Sequence, residues 1–246
     1  FAISSPKAYK VRPTEQKLIE QSDLVFVTAQ KLFDYCSQYN NKIYSFPFGV
    51  NLENYERARS TEPTTVPEDI KDIESPIIGY IGGIHRWIDQ DLIKIAAETH
   101  PNYSFVFVGP LQTDVSKLSQ LKNVRFLGHK EHKELPYYLN QFTAAIIPYL
   151  LTEYTKNVYP TKLNEYLAMG KPVVSTDLAE IRAFNTKYGD IVSIGKDPIE
   201  FAKCLESIIK KESDEQTVER RIQVASDNTW KNKIEQMSEL IEEEIE

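Results

Sequence analysis

The sequence has little cysteine, and the two cysteines it has are far apart. Cys36 and Cys204 are the only ones in 246 residues, and their positions match neither a C-x-x-C motif nor a metal-binding spacing. Such sparse use of cysteine is typical of a reducing compartment. We therefore interpret both side chains as ordinary thiols.

The sequence also lacks a long apolar run and an N-terminal leader pattern. No run approaches the roughly 18 apolar residues of a bilayer-spanning helix, and no basic segment followed by an apolar one opens the chain. These absences predict a soluble cytoplasmic protein that is not exported. The chain begins with Phe1 rather than Met, so we expect it to be part of a longer protein.

Basic residues are in the minority. The chain has 36 acidic and 29 basic residues, a net charge of −7, which repels phosphate backbones and disfavours a general nucleic-acid binder. Only a local basic pocket is compatible with this balance. The hydrophobic content of 41% and charged content of 26% exclude a disordered or collagen-like chain.

Short continuous apolar runs alternate with helical patterns along most of the chain. Parallel strands covered on both faces have such runs, so we predict an α/β fold with a doubly wound, Rossmann-like parallel sheet. The predicted strands are 23–28, 42–45, 77–81, 104–108, 123–127, 144–147, 172–175 and 191–194. The predicted helices are 14–21, 30–37, 89–99, 114–121, 134–141, 161–169, 197–211 and 230–246, and the charge run 214–221 is interpreted as a solvated helix face.

Composition changes near residue 50. Residues 51–75 are rich in Glu, Thr, Pro and Ser, which is typical of a linker, and Pro63 and Pro67 should stiffen it. We therefore predict the end of one domain over 1–50, a linker over 51–75 and a complete domain over 76–246.

Two glycines, Gly82 and Gly83, follow the predicted strand 77–81. Ligands in open α/β sheets bind beyond the carboxyl ends of the strands, glycine permits close backbone approach, and a helix start near Asp89 would attract an anion. The turn therefore predicts phosphate binding, with a ligand-free tight turn as the alternative. Neither dinucleotide nor P-loop spacing is present, and no acidic residue follows strand 104–108 to hold an NAD ribose.

A second candidate segment begins at Pro160 and Thr161, which mark a helix start. Lys162 and Glu165 then lie about one turn apart on its less apolar side. Lys162 and free backbone N–H groups suit a diphosphate, and the Glu165 carboxylate suits two adjacent ribose hydroxyls. The alternative is an exposed ion pair between these two side chains.

Histidines offer neither a metal site nor a triad. His129 and His132 lie in a polar loop after strand 123–127, but no third ligand stands at a convincing spacing. No serine occupies a G-x-S-x-G elbow, so a hydrolase is disfavoured. Backbone contacts from the loop at His129 and Lys130 to a nucleobase are the better interpretation.

The segment Pro160-x-Lys162-Leu-x-Glu165-Tyr-Leu-Ala-x-Gly170-Lys-Pro-Val-Val resembles the donor-binding signature of group 1 glycosyltransferases of the family 4 type, which have the GT-B fold. Residues 22–28 and 46–51 are similar to the stretch that ends the N-terminal domain of that family. Residues 123–128 are similar to the strand that precedes its nucleobase-binding loop.

This resemblance implies that residues 76–246 are a C-terminal nucleotide-sugar-binding domain and residues 1–50 the end of an N-terminal acceptor domain. It implies transfer of a sugar from a nucleoside-diphosphate sugar to a saccharide or lipid-linked hydroxyl, with retained anomeric configuration, no obligatory metal or other cofactor, and a role in cell-surface polysaccharide assembly. Peripheral membrane contact would come through the absent part of the N-terminal domain. The resemblance assigns catalysis to Lys162 and Arg86, and donor binding to Glu165, Thr161, Pro160, Tyr159, Asn157, Gly82, Gly83, His129 and Lys130.

The sequence departs from the family pattern at several positions. Asn157 stands where the family has the first of two glutamates, and Glu153 is a candidate substitute. Gly83 and Ile88 stand where the family places an arginine and a lysine on the diphosphate, which shifts that role to Lys162, Arg86 and backbone N–H groups. These departures leave two alternatives open: a non-catalytic nucleotide-binding or assembly module, and a GT-B sugar-nucleotide epimerase.

Overall fold

The computed structural model describes residues 8–60, 66–211 and 214–245. Its strands are β1 Val25–Val27, β2 Ile43–Ser45, β3 Ile77–Ile81, β4 Ser104–Val108, β5 Val124–Gly128, β6 Ala144–Ile147, β7 Val173–Thr176 and β8 Val192–Gly195. Its α-helices are α1 Ala8–Gln21, α2 Gln30–Cys36, α3 Leu52–Ser60, α4 Gln90–Thr99, α5 Ser116–Ser119, α6 Leu135–Gln141, α7 Lys162–Ala168, α8 Ala179–Tyr188, α9 Pro198–Lys210, α10 Glu215–Asp227 and α11 Trp230–Ile245.

Six strands form one parallel sheet in the order β5-β4-β3-β6-β7-β8. The order reverses between β3 and β6, which pair through Ile78 with Ala144 and Gly79 with Ala145. Every residue of β3 and β6 is buried, as expected for strands covered by helices on both faces. The predicted doubly wound parallel sheet is therefore confirmed, and its switch point lies between β3 and β6.

Local chemistry accounts for where the flanking helices begin. The Asp197 carboxylate accepts hydrogen bonds from the backbone N–H groups of Ile199 and Glu200, and Pro198 is the first residue of α9. The Asp89 carboxylate accepts from the N–H of Leu92 at the start of α4. Both are the N-cap arrangement that short polar side chains favour.

The segment predicted as a linker contains a helix. Residues 52–60 form α3, whose Tyr55 and Ala58 are 3% and 1% exposed. These two residues are one turn apart, so they share a buried face, while the polar residues that gave the linker-like composition occupy the remaining faces. Ile70 is also buried, and Pro63 lies outside the described residues. The division into domains stays a prediction.

The small sheet of β1 and β2 is parallel, and the segments that follow its two strands contact the main sheet domain. The N–H of Gln30 donates to the buried Glu180 carboxylate at 2.7 Å. Val50 pairs with Thr229, and a Cβ at the preceding Gly49 would lie 2.6 Å from the backbone nitrogen of Trp230. None of the described helices is both long enough and apolar enough to cross a bilayer.

Candidate functional site

The candidate site lies at the carboxyl ends of β3 and β6, where Lys162 of α7 reaches over Gly82. A Cβ at Gly82 would stand 2.7 Å from the Lys162 Nζ, and Gly82 has a φ of +132°. Glycine is therefore required there for two reasons: the backbone conformation is one that other residues rarely adopt, and a side chain would occupy the space of the Lys162 side chain. The Lys162 Nζ lies 5.5 Å from the Tyr80 ring centroid, and no carboxylate of the described residues lies within 4.0 Å of it.

Glu165 lies about one turn further along α7. Its side chain is 25% exposed, and its Oε1 lies 4.0 Å from the Nε2 of His132. Burial raises the pKa of Glu165, whereas Lys162, His132 and the phenol of Tyr55 act in the opposite direction. Because Lys162 and Glu165 do not form the ion pair that was the alternative interpretation, both remain available to a ligand.

Tyr55 is a site residue that the sequence did not indicate. It lies on α3, in a segment with linker composition, and is almost fully buried beside Glu165. Burial, followed by the Glu165 charge and a hydrogen bond with it, raises the pKa of Tyr55. No motif marks this residue, since its role depends on how α3 packs against α7.

Two further tyrosines fix the turn after β3. The N–H of Ile81 donates to the Tyr166 hydroxyl at 3.0 Å, and the Tyr80 hydroxyl donates to the carbonyl of Gly83 at 3.2 Å. Both rings are almost fully buried. The backbone beneath Lys162 is thus held by side-chain hydrogen bonds, where the β3–β6 ladder has already ended.

The rest of the glycine turn is occupied by polar and aromatic side chains. A Cβ at Gly83 would lie 2.6 Å from the Oε1 of Gln112 and 2.9 Å from the Nε2 of His85. Burial and the charge of Lys162 lower the pKa of His85, which favours the neutral form of its ring. Arg86 is exposed and has no hydrogen bond or ion pair with any described residue.

Residues 84–88 separate the glycine turn from the N-terminus of α4. Within this segment Ile84 and Ile88 form bridges with Leu111 and Tyr149. The Asp89 carboxylate accepts from the N–H of Leu92 and caps the helix. At least one N–H group of this helix end is therefore already bonded to a protein group.

The predicted residues before α7 differ in accessibility. Thr161 is exposed, Pro160 is buried and Tyr159 is 3% exposed with no hydrogen-bond partner for its hydroxyl among the described residues. Asn157 donates to the backbone carbonyl of Glu153 at 2.6 Å. The structure brings Thr161 to the side of Lys162 but places the Tyr159 ring in the core.

Glu153, the candidate substitute for the missing family glutamate, is engaged elsewhere. Its carboxylate lies 2.5 Å from Lys156 and 3.2 Å from Lys31. These two ammonium groups lower its pKa. All three side chains are exposed, so Glu153 belongs to a surface ion-pair network.

The lysine of the loop after β5 is bound to an aspartate. The Lys130 Nζ lies 2.5 Å from the Asp69 Oδ2, and the Tyr138 hydroxyl donates to the other oxygen of Asp69 at 2.7 Å. His129 is exposed. Gly128 has a φ of +71° and no heavy atom within 4 Å of a built Cβ, which leaves open space at this end of the sheet.

No group of three or more His, Cys, Asp or Glu side chains suited to a metal ion occurs within 8–60, 66–211 and 214–245.

Comparisons with known proteins agree on one family. A sequence model of the family described as Glycosyl transferases group 1 matches residues 75–211, more than half of the chain. The putative teichuronic acid biosynthesis glycosyltransferase TuaH of Bacillus subtilis (strain 168) is 29% identical over 228 residues, which are 89% of this chain and 57% of that protein. The chain therefore spans little more than half the length of this relative.

Solved structures share the fold. The crystal structure of Anabaena Alr3699/HepE in complex with UDP has a TM-score of 0.80 and 15% identity, and the match covers 98% of this chain and 70% of that one. The same protein in complex with UDP and glucose has a TM-score of 0.74 and 16% identity, with 97% and 69% covered. At these identities the likeness supports the predicted fold class.

Proposed function

The chain belongs to the group 1 glycosyl transferases, and on this premise we propose that its carboxyl sheet edge binds a nucleoside-diphosphate sugar for transfer to a hydroxyl acceptor. The observation that carries the proposal is the Lys162 ammonium, which lies over Gly82 at the switch point without a carboxylate partner among the described residues. An unpaired ammonium at a strand end is suited to an anion.

The diphosphate would lie against Gly82 and Lys162. The absence of a side chain at Gly82 leaves room for the ligand beside the Lys162 ammonium, and Lys162 supplies positive charge where the leaving group develops negative charge. As the bond between the anomeric carbon and the diphosphate oxygen breaks, this preplaced charge lowers the barrier. Arg86, exposed on the same turn, would add a second positive charge from the rim.

The ribose would lie at Glu165. An ionised carboxylate can accept from two adjacent ribose hydroxyls, and Lys162, His132 and Tyr55 favour the ionised form against the effect of burial. Thr161 completes this side of the site. The backbone at His129 and Lys130 would contact the nucleobase in the open space near Gly128.

The family and the relatives support the wider proposal. The Anabaena protein binds UDP, which makes a uridine nucleotide the first donor to test, and the Bacillus relative is assigned to teichuronic acid biosynthesis. We propose retention of anomeric configuration, no obligatory metal, and a saccharide or lipid-linked acceptor in polysaccharide assembly. The remaining residues of the proposed donor site are Pro160, Tyr159, Asn157 and Gly83.

The donor assignment is tested with Glu165→Ala. UDP and 2′-deoxy-UDP are titrated calorimetrically into the wild type and the variant, with Glu206→Ala as a control, since Glu206 is ion-paired on the surface of α9. The wild type and the control should favour UDP over its deoxy analogue, and Glu165→Ala should lose this preference. An unchanged preference in Glu165→Ala would remove Glu165 from the ribose site.

A second candidate is a nucleotide-binding module without turnover. Lys31 and Lys156 bind Glu153 on the surface, which disfavours this carboxylate as the substitute for the family glutamate. Hydrolysis of UDP-glucose by the full-length protein, lost in Lys162→Ala, would establish an enzyme.

A further inference from the structure

Three aromatic rings form a stack on the surface beside the proposed donor site. The His85 and Trp87 ring centroids are 3.9 Å apart with an interplanar angle of 24°, and those of Trp87 and Tyr154 are 5.3 Å apart with an angle of 36°. Tyr154 is 57% exposed. We call His85, Trp87 and Tyr154 the aromatic platform. Neither the family signature nor the proposed donor site includes Trp87 or Tyr154.

The backbone that carries the platform is firmly held. The N–H of Leu150 donates to the carbonyl of Trp87 at 2.8 Å. Next to Tyr154, the Thr155 hydroxyl accepts from the N–H of Thr152 at 2.8 Å and donates to the carbonyl of Leu150 at 2.5 Å. Thr155 itself is buried. These hydrogen bonds hold the loop in a conformation in which the Tyr154 ring is exposed. An ordered, exposed aromatic surface is typical of a binding site.

The platform lies at one end of the donor site. The His85 Nε2 is close to Gly83, and the Lys162 charge acts on His85, so the platform begins at the proposed diphosphate position. Glu165 and His132 mark the proposed ribose position. From His85 the platform extends through Trp87 to Tyr154, which is largely exposed.

Resting on the proposed function, we propose that the aromatic platform binds a pyranose ring of the saccharide acceptor. The C–H face of a pyranose packs against aromatic rings, and Trp and Tyr provide large rigid surfaces with a polar edge for the sugar hydroxyls. Neutral His85 extends this surface without placing a charge next to it.

The outer position of the platform distinguishes the acceptor from the donor sugar. Tyr154 and the neighbouring Leu151 are both more than half exposed, whereas the proposed diphosphate position lies at Gly82 and Lys162. Glu153, next to Tyr154, is ion-paired with Lys31 of α2. The platform thus adjoins residues 1–50, the part of the chain predicted to belong to the acceptor domain.

The sequence supplies its own reporter for this site. The chain has two tryptophans, so Trp230→Phe leaves Trp87 as the only source of indole emission. In this background we would titrate methyl glucopyranoside, methyl galactopyranoside and the methyl glycoside of N-acetylglucosamine, each with and without saturating UDP-glucose, which also fills the position of the donor sugar. At least one glycoside should change the Trp87 emission saturably, with an affinity that UDP-glucose alters by less than about twofold.

Variants of Tyr154 then test the platform itself. Tyr154→Ala should weaken calorimetric binding of that glycoside about tenfold, the loss of one ring contact of about 1.4 kcal/mol. Tyr154→Phe keeps the ring and should bind within about twofold of the wild type. Neither variant should change the affinity for UDP, so failure of the donor site and failure of the platform are distinguishable.

Three results would overturn the inference. They are an unchanged Trp87 emission with all three glycosides, displacement of the glycoside by UDP-glucose, and equal glycoside affinity in Tyr154→Ala and the wild type. Displacement by UDP-glucose would assign the glycoside to the donor site instead of the acceptor site. Absence of UDP binding with intact glycoside binding would contradict the proposed donor site but not the platform.

Discussion

The Nζ of Lys162 lies 2.7 Å from the position that a Cβ would occupy at Gly82. The lysine and the glycine therefore depend on each other: any side chain at residue 82 displaces the ammonium from the end of β3. Because β3 borders the switch point of the sheet, this pair places a positive charge where α/β sheets bind ligands.

Gly82→Ala should abolish UDP binding while the domain still folds. The substitution introduces a side chain at a φ of +132°, a strain of about 1–3 kcal/mol, and moves Lys162. Gly189→Ala is the matched control, because Gly189 also has a positive φ, of +70°, but its Cβ would meet only the flexible end of Arg220. We expect both variants to lose thermal stability and only Gly82→Ala to lose UDP affinity. Equal UDP affinity in the two variants would separate Lys162 from the phosphate.

Acidification should act on stability and on UDP binding in opposite directions. Burial raises the pKa of Glu165 above its ordinary value, so the folded state binds the proton more tightly than the unfolded state. The stabilisation from this proton is full below the unfolded pKa and is lost as the pH rises through the folded pKa. Glu165→Gln should therefore be more stable than the wild type at neutral pH, by a margin that shrinks on acidification.

UDP affinity should fall over the same pH range, because only the ionised Glu165 carboxylate accepts two ribose hydroxyls. Denaturant unfolding and calorimetric titration at several pH values measure the two effects, with His132→Gln as the background, which removes the ring nitrogen 4.0 Å from the Glu165 carboxylate. A stability difference that is constant with pH would contradict the raised pKa. A UDP affinity that does not change would place the ribose elsewhere.

Tyr166→Phe should destabilise the sheet domain by about 1–3 kcal/mol, since it leaves the buried N–H of Ile81 without an acceptor. Tyr137→Phe is the control: its hydroxyl has no hydrogen bond with any residue the structure describes, so we expect a change within about 0.5 kcal/mol. Urea unfolding of both variants gives the comparison. Equal stability of the two would show that the Tyr166 hydroxyl does not satisfy Ile81.

The sequence predicted the parallel sheet because β3 and β6 are short apolar runs bounded by breakers, a signal that does not depend on distant contacts. It likewise placed Lys162 and Glu165 on one helix, since helical spacing is local. It did not indicate Tyr55, whose position beside Glu165 depends on how α3 packs. The composition of this segment predicted a linker, because α3 buries only Tyr55 and Ala58 and its other residues are mostly polar.

The sequence patterns also did not predict contacts between side chains that are far apart in the chain. The Lys130 ammonium is bound by Asp69, a residue of the segment expected to be a linker. The contact between the rings of Trp87 and Tyr154 joins the loops that follow β3 and β6. These two loops are neighbours because β3 and β6 are adjacent in the sheet. Sequence patterns predict the elements, and the side-chain partners depend on tertiary packing.

Calorimetric titration of UDP and of uridine into the wild type and Lys162→Ala tests the central claim most directly. Lys156→Ala is the control, since Lys156 is a lysine paired with Glu153 on the surface. If Lys162 binds the diphosphate, Lys162→Ala weakens UDP by at least about tenfold, the value of one charged hydrogen bond, and leaves uridine unchanged, while Lys156→Ala changes neither. Equal losses for UDP and uridine in Lys162→Ala, or no loss for either, would contradict the assignment of this sheet edge as the diphosphate site.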